Sequence, residues 1–313
     1  MITKAKIIGD NIEYATYAKQ ADGIKRGDQE FIMSRSELVN FAINPKRWLD
    51  GYKEDHDDTT ATIWGSLIDC MVLTPDRFED RYAVAPEEYR DEKTGNLKPW
   101  NNNANVCKEW NAEQGDRTVL KKSVKVEADA AVAAIKADPD VSKLLDCSNR
   151  QVMCLADWEI GGVYVCTLRV LIDLAPERAD KSYGRLLGDF KTARNGNPAK
   201  WPYVVEDCGY DVQAALSLDI YNAAAKEERD GWVFPIQENV KPYHVVKPMP
   251  ALSTEFLKYG RAKYEAALTL YSKCVATGIW PSFPTGNNLL VGPTQIISPD
   301  ALFSYRQSAG QVA

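Results

Sequence analysis

Histidine is nearly missing from this chain: 313 residues hold only His56 and His244. That scarcity argues against a multi-histidine zinc centre and against a triad with a histidine base. The seven cysteines (Cys70, Cys107, Cys147, Cys154, Cys166, Cys208 and Cys274) contain no Cys-x-x-Cys pair. An odd, scattered set in a chain of this size predicts reduced thiols and a cytoplasmic setting rather than a disulfide framework. No apolar run is long enough to span a bilayer, and the opening Met-Ile-Thr-Lys lacks a secretory pattern. A basic excess is missing too, since 38 Lys and Arg stand against 44 Asp and Glu, a net charge of −6. This argues against a protein that coats nucleic acid non-specifically, but leaves room for one that binds it in a local basic groove. What remains, at 45% hydrophobic and 26% charged residues, is a globular chain able to bury a sizeable core.

Along the chain, residues 1–32 are mixed and polar and read as an arm with little structure of its own. A helix then starts at a capping box, Ser34 with Glu37, followed by Leu38, Phe41 and Ala42 at helical spacing. From about Thr60, Ile63, Trp64, Leu67, Ile68, Met71 and Val72 give a second apolar helix, kept slim by Gly65 and Ser66. Residues 84–117 are loop-rich, and 124–145 read as an Ala-rich helix divided near Asp138-Pro139. Strands follow: Gln151–Glu159 and Val163–Leu174 around the turn at Gly161-Gly162, then Leu186–Thr192. A long helix over Tyr203–Arg229, strands at Trp232–Gln237 and Tyr243–Lys247, and a helix over Phe256–Thr277 complete the pattern. The prediction is one α/β domain over 33–284, a central mixed β-sheet flanked by helices with an N-terminal helical extension. A turn-rich tail covers 285–313.

Within that pattern, Leu186-Leu-Gly-Asp-Phe-Lys-Thr-Ala-Arg194 carries the chemistry. Period-two alternation puts Asp189 and Lys191 on one face and Phe190 on the other. Asp173 ends the preceding apolar strand, and the element order places it beside Asp189. Two carboxylates can hold a hard divalent cation through oxygen, and a lysine beside them adds positive charge near a scissile phosphate. That set suits metal-dependent phosphodiester hydrolysis. Asp91-Glu-Lys93 has the same spacing but lies in a polar run near Gly95 and Pro99, and is read as a solvated loop.

With these residues the chain resembles the PD-(D/E)xK nucleases, and within them the exonuclease VIII family of phage and prophage recombination exonucleases. The segments that carry the likeness are Ser34-Arg-Ser-Glu-Leu38, Trp64-Gly-Ser-Leu-Ile-Asp-Cys70, Leu171-Ile-Asp-Leu174, Gly188-Asp-Phe-Lys-Thr192, Gly209-Tyr-Asp-Val-Gln-Ala-Ala215 and Trp280-Pro-Ser-Phe283. The resemblance implies a Mg2+-dependent exonuclease, with Mn2+ able to substitute, degrading linear double-stranded DNA from 5′ to 3′ in a bacterial host cell. It also implies a ring-shaped homo-oligomer and a single-strand annealing recombinase as partner. No iron–sulfur cluster is expected, because only Cys274 falls late in the chain.

Carried over residue by residue, Asp173 and Asp189 are metal-binding carboxylates, Lys191 is the catalytic lysine, and the main-chain carbonyl of Phe190 is a further ligand. Gln213 matches the family's glutamine, although a polar residue on the exposed side of its helix is an equal reading. Arg194, Lys200 and Tyr210 are candidates for DNA contact. Two departures stand out. Asp69 occupies a place where the family usually has histidine, and a carboxylate there suits Mg2+ at least as well. Ser217 stands where the family often has a tyrosine, four residues after the glutamine. The alternatives are an endonuclease of the same fold and a non-catalytic DNA-binding or assembly protein that keeps it.

Overall fold

A computed structural model describes residues 1–28, 30–51, 60–247 and 249–282. His56, Phe283 and the expected tail from 285 lie outside the described residues. The chain begins with β1 (Ile2–Gly9), α1 (Tyr14–Lys19), β2 (Ile32–Ser34), α2 (Arg35–Ile43), α3 (Pro45–Leu49) and α4 (Thr60–Leu73). After a 3-10 turn come α5 (Phe78–Arg81), β3 (Tyr82–Val84), β4 (Glu88–Arg90), β5 (Leu97–Pro99), α6 (Asn105–Glu113) and β6 (Thr118–Leu120). Helices α7 (Lys122–Ala137) and α8 (Pro139–Asp146) lead into the two long strands β7 (Ser148–Ile160) and β8 (Val163–Pro176). The remainder is β9 (Leu186–Gly188), β10 (Lys191–Ala193), α9 (Trp201–Asp207), α10 (Tyr210–Ala225), β11 (Gly231–Val233), β12 (Ile236–Glu238) and α11 (Thr254–Thr277).

Local chemistry sets the helix starts. Ser34 Oγ accepts from Glu37 N (3.2 Å) at α2, and Asn44 Oδ1 accepts from Arg47 N (2.9 Å) at α3, where Pro45 fills the first helical position. The same pairing of cap and proline at Asp138-Pro139 divides α7 from α8, as the sequence predicts. Glu37 does not reciprocate at Ser34. Its carboxylate is taken by Arg26 (3.0 and 3.1 Å) and by Trp48 Nε1 (2.5 Å).

The main sheet runs β1-β7-β8-β9-β11, with β2 adding to β8, and it is mixed: β7 and β8 are antiparallel, while β2 on β8 and β11 on β9 are parallel. One apolar layer, built on α2, α10 and α11, holds Phe41, Leu216, Leu268 and Tyr271. The other, built on α4, α7 and α8, holds Leu67, Ile68, Ile135, Leu144 and Phe190. This is the helix-flanked α/β sheet the sequence predicts.

Several boundaries differ. Residues 1–32 are not a loose arm: β1 pairs antiparallel with β7 at the sheet edge, and Tyr17 of α1 is buried. The expected strand over Leu186–Thr192 is two strands in two sheets, β9 beside β8 and β10 beside β12. The long helix expected over Tyr203–Arg229 is α9 and α10, parted at Gly209, whose φ of +64° suits glycine. Trp232–Gln237 likewise divides into β11 and β12, and Tyr243–Lys247 contributes only an isolated bridge from Val245 to Gln237.

Helix α11 packs on α10 through Gly260, where an added Cβ would lie 2.1 Å from the carbonyl oxygen of Asp211. Gly260→Ala is therefore expected to destabilise the fold by about 1–3 kcal/mol, the range for overpacking. Urea unfolding checks it, and an unchanged midpoint would show that the two helices part freely.

Candidate active site

Strand β8 organises the site because one of its edges is shared. Strand β7 covers one side along nearly its whole length. On the other side β2 pairs at Thr167–Arg169 and β9 only at Leu174, so residues 170–173 have no strand partner there among the described residues. A cavity of about 690 Å3 opens in that fork. Asp173 reaches it from β8, Asp189 and Lys191 from the break between β9 and β10, Asp69 from α4, and Gln213 from α10. Gly65, one turn before Asp69, lets α4 lie close: a Cβ there would sit 3.3 Å from Thr192 Oγ1.

The break in the strand is chemically specific. Asp189 N donates to Val233 O (3.1 Å) and Lys191 N to Pro235 O (2.9 Å), so alternate amides stay on the neighbouring strands. The amide between them, Phe190 N, turns to Asp173 Oδ2 (3.0 Å). The Phe190 ring is buried in the opposite apolar layer, as alternation predicts. Asp173 is held a second time, by Gln151 Nε2 at Oδ1 (2.9 Å). Gln151 has φ +49°, an uncommon backbone state for a non-glycine residue, here beside a carboxylate of the cavity.

Gln213 Nε2 donates to Asp189 Oδ1 (2.7 Å), and Arg35 Nη2 donates to Gln213 Oε1 (3.3 Å). Asp189 Oδ2 is buried with no well-formed hydrogen bond and faces the Lys191 ammonium in a close ion pair. Lys191 Nζ lies 4.7 Å from the centroid of the Tyr210 ring. Arg194 and Lys200 are exposed and do not line the cavity. Asp91 is confirmed as a turn residue, accepting from Lys93 N, Thr94 N and Thr94 Oγ1 in the hairpin of β4 and β5.

Three carboxylates around one ammonium leave the cluster short of positive charge. Burial, then the Asp189 charge, pushes Asp173 well above the usual carboxylate range, with Lys191 opposing. Burial likewise pushes Asp69 up to about 7, Lys191 opposing and Asp189 adding. Burial pulls Lys191 down, but Asp189, Tyr210 and Asp173 outweigh it and hold the ammonium above its ordinary value. Two carboxyls made reluctant to ionise, beside a buried carboxylate paired with a lysine, are what a site for a hard cation presents. The donors are all oxygen, which fits Mg2+ or Mn2+. Among the described residues no group of three acidic, histidine or cysteine side chains stands ready to hold a metal ion.

Asp69 gives a direct test. A folded carboxyl raised from 3.8 to about 7 costs stability as pH rises through that window, and the cost is absent below it. Without metal, Asp69→Asn should gain stability on the order of 4 kcal/mol at pH 8 and roughly a tenth of that at pH 4. With metal, it should need more Mg2+ for half-maximal activity. Parallel melting curves across pH, together with overlapping Mg2+ titrations, would remove Asp69 from the site.

Sequence reasoning missed Gln151, Arg35 and Arg169, all of which line the cavity. Arg169 was within reach, because it lies four residues before Asp173 on the same strand face. Gln151 was not, since its role depends on a backbone state that the sequence does not announce.

The fork, the carboxylates and the lysine define a nuclease-like protein of the PD-(D/E)xK class. The chain belongs to the family described as PDDEXK-like domain of unknown function (DUF3799), whose profile matches residues 34–287. Its fold is similar to the crystal structure of a "putative exonuclease" from Eubacterium rectale, with TM-score 0.50 and 15% identity, covering 88% of this chain and 91% of that one. No curated protein matches the chain. Among the described residues no helix is long and apolar enough to cross a membrane.

Proposed function

We propose that this protein is a metal-dependent exodeoxyribonuclease acting on linear double-stranded DNA, 5′ to 3′, in phage-type recombination. The observation that carries the chemical part is the meeting of Asp173, Asp189 and Lys191 in the fork, with Asp189 Oδ2 buried against the Lys191 ammonium. Asp173, Asp189, Asp69 and the Phe190 carbonyl would hold a divalent cation, which would supply Lewis acidity toward the phosphate. The chain's own groups do the positioning. Phe190 N and Gln151 fix Asp173, Gln213 fixes Asp189, and Arg35 fixes Gln213. Lys191 places a full positive charge where negative charge develops on the phosphate oxygens. Arg194, Lys200 and Tyr210 are proposed to contact DNA outside the carboxylates. The polarity, ring-shaped assembly and annealing partner rest on the resemblance to the exonuclease VIII family.

End-labelled linear duplexes and covalently closed circles, each with Mg2+, test the reading. Stepwise loss of label from 5′ ends with intact circles is the expected result. Nicked or linearised circles would favour the endonuclease, and no cleavage of either would favour the non-catalytic protein.

A further inference from the structure

The chemistry proposed for this site leaves Lys191 without a fixed partner. Its ammonium makes a close ion pair with Asp189 Oδ2, and Asp189 is also asked to hold a divalent cation. Asp173, the second carboxylate whose charge acts on the ammonium, is a ligand in the same reading. Once those oxygens serve a cation, Lys191 loses its counter-charges and gains a like charge as a neighbour. A flexible four-carbon stem then carries the ammonium away unless another group holds it.

The ring of Tyr210 is placed to do so. Lys191 Nζ lies over it, 4.7 Å from its centroid and inside the distance at which a cation is attracted to an aromatic face. Arg35 approaches the same ring, with its guanidinium carbon 5.8 Å from the centroid. Trp201 (6.1 Å between centroids) and Phe234 (5.8 Å) pack against the ring and are both buried, which fixes its position.

Helix α10 builds this arrangement from two residues. Tyr210 opens the helix and Gln213 stands three residues on, so the two side chains are neighbours on its surface. Gln213 donates to Asp189 Oδ1 (2.7 Å) while Tyr210 underlies Lys191, so one helix holds both halves of the ion pair. Arg35 of α2 fastens both, donating to Gln213 Oε1 (3.3 Å) and lying over the Tyr210 ring. Gly209 turns the chain into α10 immediately before Tyr210, and an added Cβ there would sit 3.2 Å from Val39 Cγ2 of α2. The close seat of α10 on α2 therefore falls where the ring is needed.

We propose that Tyr210 is the positioning residue for Lys191: its ring face keeps the ammonium beside the reacting phosphate when Asp189 and Asp173 are committed to a cation. The part in cleavage rests on the nuclease reading, whereas the contact between ring and ammonium stands without it. It differs from contact with DNA in acting through Lys191, and so on kcat.

The test uses the full chain, without metal and with it. In chelator, a series of phenylalanine rings with increasing fluorine content replaces Tyr210. Fluorine drains the negative face of the ring but leaves its shape nearly unchanged. Melting temperature should fall with each added fluorine in the otherwise unaltered chain. It should fall much less steeply in Lys191→Met, where only Arg35 remains over the ring. In Mg2+, Tyr210→Leu should lower kcat on linear duplex about tenfold, the scale of a desolvated cation–π contact, with KM changed far less. Tyr210→Phe should recover most of that loss, and the fluorinated rings should lower kcat in order. Equal melting slopes with and without the lysine, kcat indifferent to fluorine, or a Tyr210→Leu loss that falls on KM alone would overturn the proposal. So would Tyr210→Phe behaving like Tyr210→Leu, which would assign the hydroxyl instead of the ring. If Tyr210→Leu or Lys191→Met does not fold, the order of kcat among the fluorinated rings decides. A lysine-dependent slope in a protein that cleaves nothing would support the contact and sink the nuclease reading.

Discussion

Asp189→Ala is expected to lower DNA hydrolysis by at least about 10²–10³-fold, the scale for removing one group that stabilises transition-state charge. The fold should survive, and in metal-free buffer it should melt no lower than the parent. Asp189 adds to the load on both other acids: its charge helps push Asp173 and Asp69 above their ordinary values. Deleting it takes the cluster from three carboxylates and one ammonium to two and one, which relieves repulsion. The cost is the hydrogen bond from Gln213, whose side chain keeps Arg35 as a partner, and the ion pair with Lys191, which keeps the Asp173 carboxyl nearby. Activity is measured as acid-soluble nucleotide released from linear duplex, and stability by thermal melting with chelator. A variant that cuts at near the parent's rate would show that the carboxylates have been misassigned.

Lys191→Met is expected to lose about 10²-fold or more in rate but to move stability the other way. Without the ammonium, three carboxylates face one another with only the more distant Arg81 acting on Asp69, and the buried Asp189 Oδ2 loses the charge that faces it. Removing one partner of a buried pair costs about 3–5 kcal/mol when the other is left uncompensated. Because the Lys191 side chain is 19% exposed, the expected loss is at the low end of that range. Mg2+ should restore part of it, since a bound cation replaces the missing charge. The opposite signs for Asp189→Ala and Lys191→Met in chelator distinguish a charge-starved metal site from an ordinary salt bridge, whose two halves would cost alike.

Much of this was legible in the sequence, for local reasons. Alternation over Asp189-Phe190-Lys191 gave the facing of the three side chains, and that facing survives although the strand is interrupted at Asp189 and Phe190. The Ser34 cap and the Asp138-Pro139 break act within a few residues, and the structure keeps them. The early helix with Asp69 was visible from its apolar spacing, and the structure brings that carboxylate to the same cavity as Asp173 and Asp189. What was not legible depends on distant pairing. Residues 2–9 look polar because they form an edge strand with one side to solvent, so their place beside β7 leaves little trace in composition. The fork in the sheet arises because β2 and β9 share one edge of β8, a fact of register between segments far apart in the chain. Arg35 reaches Gln213, and Gln151 reaches Asp173, only through pairing of that long-range kind.

The most direct test of the central claim is nucleotide release from linear duplex DNA by the parent protein in Mg2+ and, in parallel, in excess chelator. The account predicts steady release with Mg2+, none with chelator, and recovery when Mg2+ or Mn2+ is restored. Undiminished release in chelator would contradict it, because the carboxylates of the fork would then be working without the cation that gives them their purpose.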